Sequence, residues 1–429
     1  MRVMIIGGGG REYAIAKRLA GDPRVTALYA LPGNGGMREF AHCVDIKAID
    51  IDRIVCFAVD ERIDFAVVTP DDPLALGAVD RLEAAGIACF GPTAAAARIE
   101  ASKSFAKALM EKYGVPTAKS RCFEDIDSAL SFVAECPIPT VVKADGLALG
   151  KGVFICRTRE EAVTAVKELM SGGRCGESGE KILIEEFLEG PEVSVLSLTD
   201  GRTVLPLVSS MDHKTIGEGG TGPNTGGMGA VAPNPFYTDA IAADCMERIY
   251  LPTVRAMENE GCVFRGCLYF SLMLTEQGPK VIEYNCRFGD PETQTVLPLI
   301  EGDLLEAFMA VREGRLRDTA LSFESKAVCC VVAASGGYPG SYKKGLPIQF
   351  DAEGLNALGC EAVHAGTKLT PAGYVTAGGR VLNIIAKADT LAEAVDKAYR
   401  GMELVRFDGM YKRGDIGRQA LEAVTAVTE

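Results

Sequence analysis

Val281-Ile282-Glu283-Tyr284-Asn285-Cys286-Arg287-Phe288-Gly289-Asp290-Pro291-Glu292-Thr293 reads as a strand running out into an acidic loop. Glu283 and Asn285 are two apart, so on a strand they project from one face. A carboxylate beside an amide oxygen is hard-donor chemistry, suited to Mg²⁺ shared with phosphates. Asp290 and Glu292 follow in the loop. The plainer reading is a strand end with a solvated acidic turn.

Upstream, Asp145-Gly146-Leu147-Ala148-Leu149-Gly150-Lys151-Gly152 lies between two predicted strands, Thr140–Lys143 and Val153–Cys156. A Walker loop would join a strand to a helix and would have Ser or Thr where Gly152 stands. A glycine hairpin carrying Lys151 can instead fold over a triphosphate as a mobile lid. Lys143, on the preceding strand, and Lys103 are further candidate cations. The surrounding pattern is α+β: strands at 181–187, 193–198, 204–208, 266–274 and 280–284, and helices at 160–170 and 240–258. Ser171–Glu180 and the glycine-rich Gly217–Gly229 read as loops.

The first hundred residues alternate strand and helix, which implies a parallel sheet covered on both faces. Strands are expected at 3–6, 25–30, 64–68 and 87–90, with helices at 13–19 and 74–85. Gly7-Gly8-Gly9-Gly10-Arg11-Glu12 follows the first strand and opens a helix. The third glycine of a dinucleotide fingerprint would fall on Glu12, so nicotinamide binding fits poorly. A phosphate or sugar-phosphate near Arg11 fits better. Pro32-Gly33-Asn34-Gly35-Gly36 and Thr69-Pro70-Asp71-Asp72-Pro73 end the next strands, where ligands of open α/β sheets gather. A third module begins near Ser322, with strands at 327–334 and 380–386 and a helix at 391–404.

With 429 residues, 48% hydrophobic and 24% charged, the chain has enough apolar sequence for roughly three packed modules. A net charge of −13 argues against nucleic acid as a partner. No apolar run approaches the ~18 residues of a membrane span, and no signal peptide is evident, so a cytoplasmic location is expected. The 14 cysteines form no Cys-x-x-Cys pair and read as reduced core thiols.

Together these motifs identify a resemblance to the glycinamide ribonucleotide synthetase family, ATP-grasp ligases of purine biosynthesis. Further segments carry it: Phe90-Gly91-Pro92-Thr93, Lys143–Ala148, Ile184-Glu185-Glu186-Phe187-Leu188, Asp212-His213-Lys214, Thr221–Gly229, Gly337-Tyr338-Pro339-Gly340 and His364-Ala365-Gly366-Thr367. The likeness spans essentially the whole chain. It implies an N-terminal parallel α/β module (1–101), an ATP-grasp body (102–121 and 191–321), an inserted lid subdomain (122–190) and a small C-terminal α+β module (322–429). It also implies a reaction: ATP, glycine and 5-phospho-D-ribosylamine give glycinamide ribonucleotide, ADP and phosphate. A monomer is expected.

Roles follow as expectations of that resemblance. Glu283 and Asn285 hold Mg²⁺ or Mn²⁺. Lys103, Lys143 and the hairpin Gly150-Lys151-Gly152 meet the phosphates of ATP. Glu185, Glu186, Phe187 and Leu188 form the hinge that reads adenine, and Glu192 meets the ribose. Arg287 grips the glycine carboxylate or an acyl phosphate, because a guanidinium pairs two oxygens at once. Asp212 orients the amine or accepts its proton; His213 is an alternative base or a structural histidine. Backbone N–H groups of Thr225, Gly226, Gly227 and Met228 cradle an anion. Gly9, Gly10, Arg11 and Glu12 receive the ribosylamine phosphate, and Asn34 and Lys214 also bind substrate.

Four places depart from the family pattern. Tyr13 stands where His is usual, and Thr69-Pro70-Asp71 where Gly-Pro-Glu is usual. Thr215 replaces Arg, and Tyr269-Phe270-Ser271 replaces Tyr-Ala-Gly. They put the sugar-phosphate side in question, so two alternatives stay open: a ligase for another amine, and a non-catalytic nucleotide-binding protein.

Overall fold

The computed structural model describes residues 1–147, 152–171 and 179–428. Val3 to Ile6, wholly buried, form the centre of a five-stranded parallel sheet. Arg2–Gly7 pairs with Ala27–Pro32 on one side and Phe65–Val68 on the other. His42–Cys43 and Ala88–Phe90 are the edges. Strand order reverses at Arg2–Gly7, so the loop after it opens at a topological switch point. The expected helix 74–85 is two helices, Asp71–Ala75 and Ala78–Ala84. Gly77 divides them at φ +79°, a left-handed conformation that glycine adopts without strain. Helix Ile51–Asp60, capped by Asp50, is an addition to the sequence reading.

Two four-stranded antiparallel sheets face the cleft. The first orders Ser120–Phe123, Ile182–Glu186, Thr140–Ala144 and Val153–Cys156. Alternation divides its side chains. Val142, Ala144, Cys156 and Ile184 pack on helices Ile126–Glu135 and Arg159–Met170. Val141, Lys143, Ile155 and Glu185 line the cleft instead. The second sheet orders Val204–Pro206, Glu192–Thr199, Gly266–Thr275 and Gly278–Asn285. Its register sets Ser271 opposite Glu283 and Tyr269 opposite Asn285. Between them runs helix Lys103–Tyr113, capped by Ser102, whose hydroxyl accepts from the Phe105 N–H, and ended by Gly114.

The third sheet contains Cys360–His364, Arg380–Ala388 and Ala327–Ser335. Two strands from earlier in the chain, Gly229–Ala232 and Met211–Asp212, extend it. The stretch 217–229, expected as one loop, opens with a hairpin, Thr215–Gly217 against Thr221–Asn224. The expected helix 240–258 contains a π turn at Met246–Tyr250, just before Pro252, which lacks an N–H to donate. Most of the described cysteines are buried, but Cys56 and Cys122 are exposed. Residues 172–178 of the expected loop 171–180 lie outside the described residues. No helix among the described residues is long and apolar enough to cross a membrane.

Candidate active site

One cleft of about 1480 Å³ runs between the sheets. It gathers Lys103, Lys143, Gly152, Glu185, Glu186, Phe187, Leu188 and Glu192 with Arg11, Asp212, Lys214, Thr225, Gly226, Glu283, Asn285 and Arg287. Gly9, Gly10, Glu12, Asn34, Gly227 and Met228 are not on its wall. Gly150 and Lys151 lie outside the described residues.

Lys143 is buried, with Nζ 2.9 Å from the Glu185 carboxylate and 3.3 Å from the Ile282 carbonyl oxygen. Desolvation opposes its charge, yet Glu185 and Glu283 raise it above the ordinary lysine value. Glu185 also meets Lys107 at 3.4 Å. Burial lowers Lys107 to about 8, against the pull of that same carboxylate. Sequence reading missed Lys107. Its spacing was the available signal: four residues after Lys103, it shares a helix face with it. The Glu185 backbone is committed to the sheet ladder on both sides. Lys103 donates to the Gly146 carbonyl at 3.0 Å.

Glu283 lies in a field of cations. Desolvation would raise its carboxyl, but Lys214, Lys143, Lys103 and Arg287 hold it below the usual carboxylate range. Asn285 Oδ1 accepts from Arg287 Nη2 at 3.0 Å and retains a second lone pair. An ionised carboxylate and an amide oxygen on one strand face fit a hard divalent cation that takes its remaining ligands from phosphate and water. No cluster of three or more His, Cys, Asp or Glu that could hold a metal occurs among the described residues. Arg287 also meets Glu100 at 3.1 Å, while its Nε is buried without a partner among the described residues. Glu100 is a second omission of the sequence reading.

Asp212 ends a two-residue strand beside the body sheet. Its Oδ1 is buried without a hydrogen-bond donor among the described residues. Desolvation, reinforced by the charge of Glu292, pushes this carboxyl well above the usual carboxylate value. Lys214 Nζ is 3.0 Å from Glu192 Oε2 and 3.5 Å from Ser271 Oγ. The Tyr269 hydroxyl donates to Glu292 at 2.7 Å.

Several predicted residues have other employment in this structure. His213 accepts from the Gly417 N–H through Nε2 at 3.1 Å and faces the Gly229 carbonyl through Nδ1 at 3.3 Å. Both ring nitrogens are thus engaged within the protein, and burial lowers the imidazole to about 4. The amides of the expected anion cradle are engaged. Thr225 N and Met228 N donate to the carbonyls of Lys214 and His213, Gly227 N to Thr225 Oγ1 and Gly226 N to Tyr338 Oη. Glu12 accepts from Gly9 N at 2.7 Å and closes the glycine loop. Asn34 joins the Gly8 and His364 carbonyls.

The departures are locally satisfied. The Thr69 hydroxyl is 2.8 Å from Glu12 Oε1. Tyr13 stacks on His364 with ring centroids 5.8 Å apart. Thr215 receives Arg413 Nη1 at its carbonyl, 3.0 Å away.

Comparison with known proteins agrees with this arrangement. Residues 1–100, 101–293 and 328–419 match the N domain, the ATP-grasp (A) domain and the C domain of phosphoribosylglycinamide synthetase. Phosphoribosylamine–glycine ligase of Caldanaerobacter subterraneus subsp. tengcongensis is 45% identical over 416 residues, covering 97% of this chain and 99% of that one. The Escherichia coli K12 enzyme of the same name is 44% identical over 431 residues, covering 98% and 99%. The crystal structure of phosphoribosylamine–glycine ligase from Thermotoga maritima superposes with a TM-score of 0.85 at 31% identity, covering 97% of this chain and 100% of that one. The biotin carboxylase domain of Hydrogenobacter thermophilus 2-oxoglutarate carboxylase shares the fold, with a TM-score of 0.71 at 19% identity, over 96% and 91% of the two chains. The chain belongs to the phosphoribosylglycinamide synthetase family and has its ATP-grasp architecture.

Proposed function

We propose that this chain uses ATP to join glycine to 5-phospho-D-ribosylamine, giving glycinamide ribonucleotide, ADP and phosphate in purine biosynthesis. The observation that carries the reading is one cleft holding buried lysines, the Glu283–Asn285 pair and Asp212, whose Oδ1 has no hydrogen-bond donor among the described residues. A carboxylate is a poor electrophile. An oxygen of glycine attacks the γ-phosphorus and ADP leaves; the amine then attacks the acyl carbon and phosphate leaves.

Lys143 and Lys103 meet the phosphate oxygens. The backbone after Glu186, at Phe187 and Leu188, reads the adenine edge, and Glu192 meets the ribose. Arg287 holds the glycine carboxylate with the N–H groups that Glu100, Asn285 and the Phe288 carbonyl leave over. Asp212 accepts the proton released when the amine forms its new bond; desolvation and Glu292 raise this carboxyl above its ordinary range, which strengthens it as a base. Glu283 and Asn285 would hold Mg²⁺ or Mn²⁺, which when bound supplies charge neutralisation at the transferring phosphate. Arg11, the one member of the glycine-loop motif on the cleft wall, faces the sugar phosphate.

The test is ADP release with freshly generated phosphoribosylamine. ADP formation that needs both glycine and this amine supports the reading. Equal turnover with unrelated amines, or none with all substrates present, overturns it.

A further inference from the structure

Arg380 opens a strand of the third sheet, outside every motif assigned above. Its Nη1 donates to the carbonyl oxygens of Gly226 at 2.6 Å, Gly227 at 3.3 Å and Asp290. Its Nη2 lies 3.4 Å from the Asp290 carboxylate. One guanidinium, 18% exposed, thus joins two loops that border the cleft through Gly226 and Asp290. Asp290 also accepts from the Arg11 amide at 3.3 Å and from Gln294 at 2.7 Å, so all three modules meet here.

The pinned peptide lies against Asp212. A Cβ on Gly227 would come within 2.8 Å of Asp212 Oδ1 and 2.4 Å of Pro291, at a φ of +113°. The segment is therefore a tight packing element, and Arg380 holds it by the carbonyls of Gly226 and Gly227. We propose that Arg380 is a positioning residue for the amine-transfer half of the reaction: by tying Gly226–Gly227 to Asp290, it fixes the peptide packed against Asp212 and so the place of the carboxylate that meets the amine. The inference rests on the ligase reading above. It assigns Arg380 no contact with substrate. A lysine, with a point charge in place of a planar fork, cannot serve the three carbonyls and the carboxylate together.

Wild type, Arg380→Lys and Arg380→Ala are compared in the glycine-dependent ADP assay, with ATP affinity and Tm measured separately. Both variants are expected to bind ATP within about twofold of wild type. Both lose about 10²-fold in kcat/KM for phosphoribosylamine, because small misplacements near a reacting centre weigh that much. Near-wild-type kcat/KM in Arg380→Lys overturns the proposal, since it marks a simple charge contact. Loss of ATP affinity in step with kcat/KM and Tm overturns it too, as a general structural role. A wild type without amine-dependent ADP release sinks the ligase reading itself, and this inference with it.

Discussion

At the residue scale, the cleft gathers charges whose ionisation is set by one another and by burial. Glu283 is kept ionised by three lysines and Arg287. Glu283→Ala should lower the rate by at least ~10²-fold with an unchanged Tm, as expected for removing charge stabilisation at the transition state. Near-normal turnover would remove Glu283 from the chemistry. Asp212 makes a different prediction. As a base it works only when ionised, and its carboxyl is raised. The rate of amine transfer should therefore fall on acidification through a pH above the ordinary carboxylate range. In Asp212→Asn that acid limb should vanish, with turnover down about 10²-fold at neutral pH. Lys143, Glu283 and Asn285 were legible from strand spacing and motif. Lys107 had only its spacing from Lys103 to mark it, and Glu100 and Arg380 had nothing local, because the partners come from other segments: Glu185, Arg287 and the loops at 226–227 and 290.

At the scale of elements, strands with apolar runs were readable and polar ones were not. The hairpin 215–224 is Thr, Gly, Pro and Asn in its returning strand, a composition poor in β-formers. Contacts from the distant third module accompany it. Arg413 reaches Thr215, Asp415 accepts from Gly219 N at 2.8 Å and Glu218 from Gly414 N at 2.9 Å. Arg413 and Asp415 form a buried ion pair, 4% and 7% exposed at the side chain. Arg413→Met leaves Asp415 buried and uncompensated, which destabilises by about 3–5 kcal/mol. A clear drop in Tm is expected, and an unchanged melting curve would show that the pair holds nothing. Helix 74–85 failed in the reading for a smaller reason: one left-handed glycine is enough to break it.

At the scale of the whole molecule, the modules are joined by buried polar links that no local pattern announces. Asn34 of the first module bonds His364 of the third at 2.9 Å. His364 is buried beside Tyr13, Phe350 and Tyr374, and burial lowers it to about 4, as it does His213. Unfolded imidazoles titrate near ~6.5, so below that pH the unfolded chain binds more protons. Stability should therefore fall between about pH 6.5 and 4. Tm measured across that window should drop, and less steeply in His364→Gln; parallel slopes would mean the imidazole is not held neutral. The alternation of strand and helix in the first hundred residues was readable because each strand is an apolar run. The joints between modules were not, because strands Met211–Asp212 and Gly229–Ala232 leave the segment that precedes them and complete a sheet begun a hundred residues later.

One labelling experiment reaches the proposed chemistry itself. Glycine carrying ¹⁸O in both carboxylate oxygens is turned over with ATP and phosphoribosylamine, and the inorganic phosphate is analysed by mass spectrometry. Transfer through a glycyl phosphate leaves one ¹⁸O in each phosphate released. Phosphate free of label, formed at the same rate as product, would contradict activation of the carboxylate in this cleft.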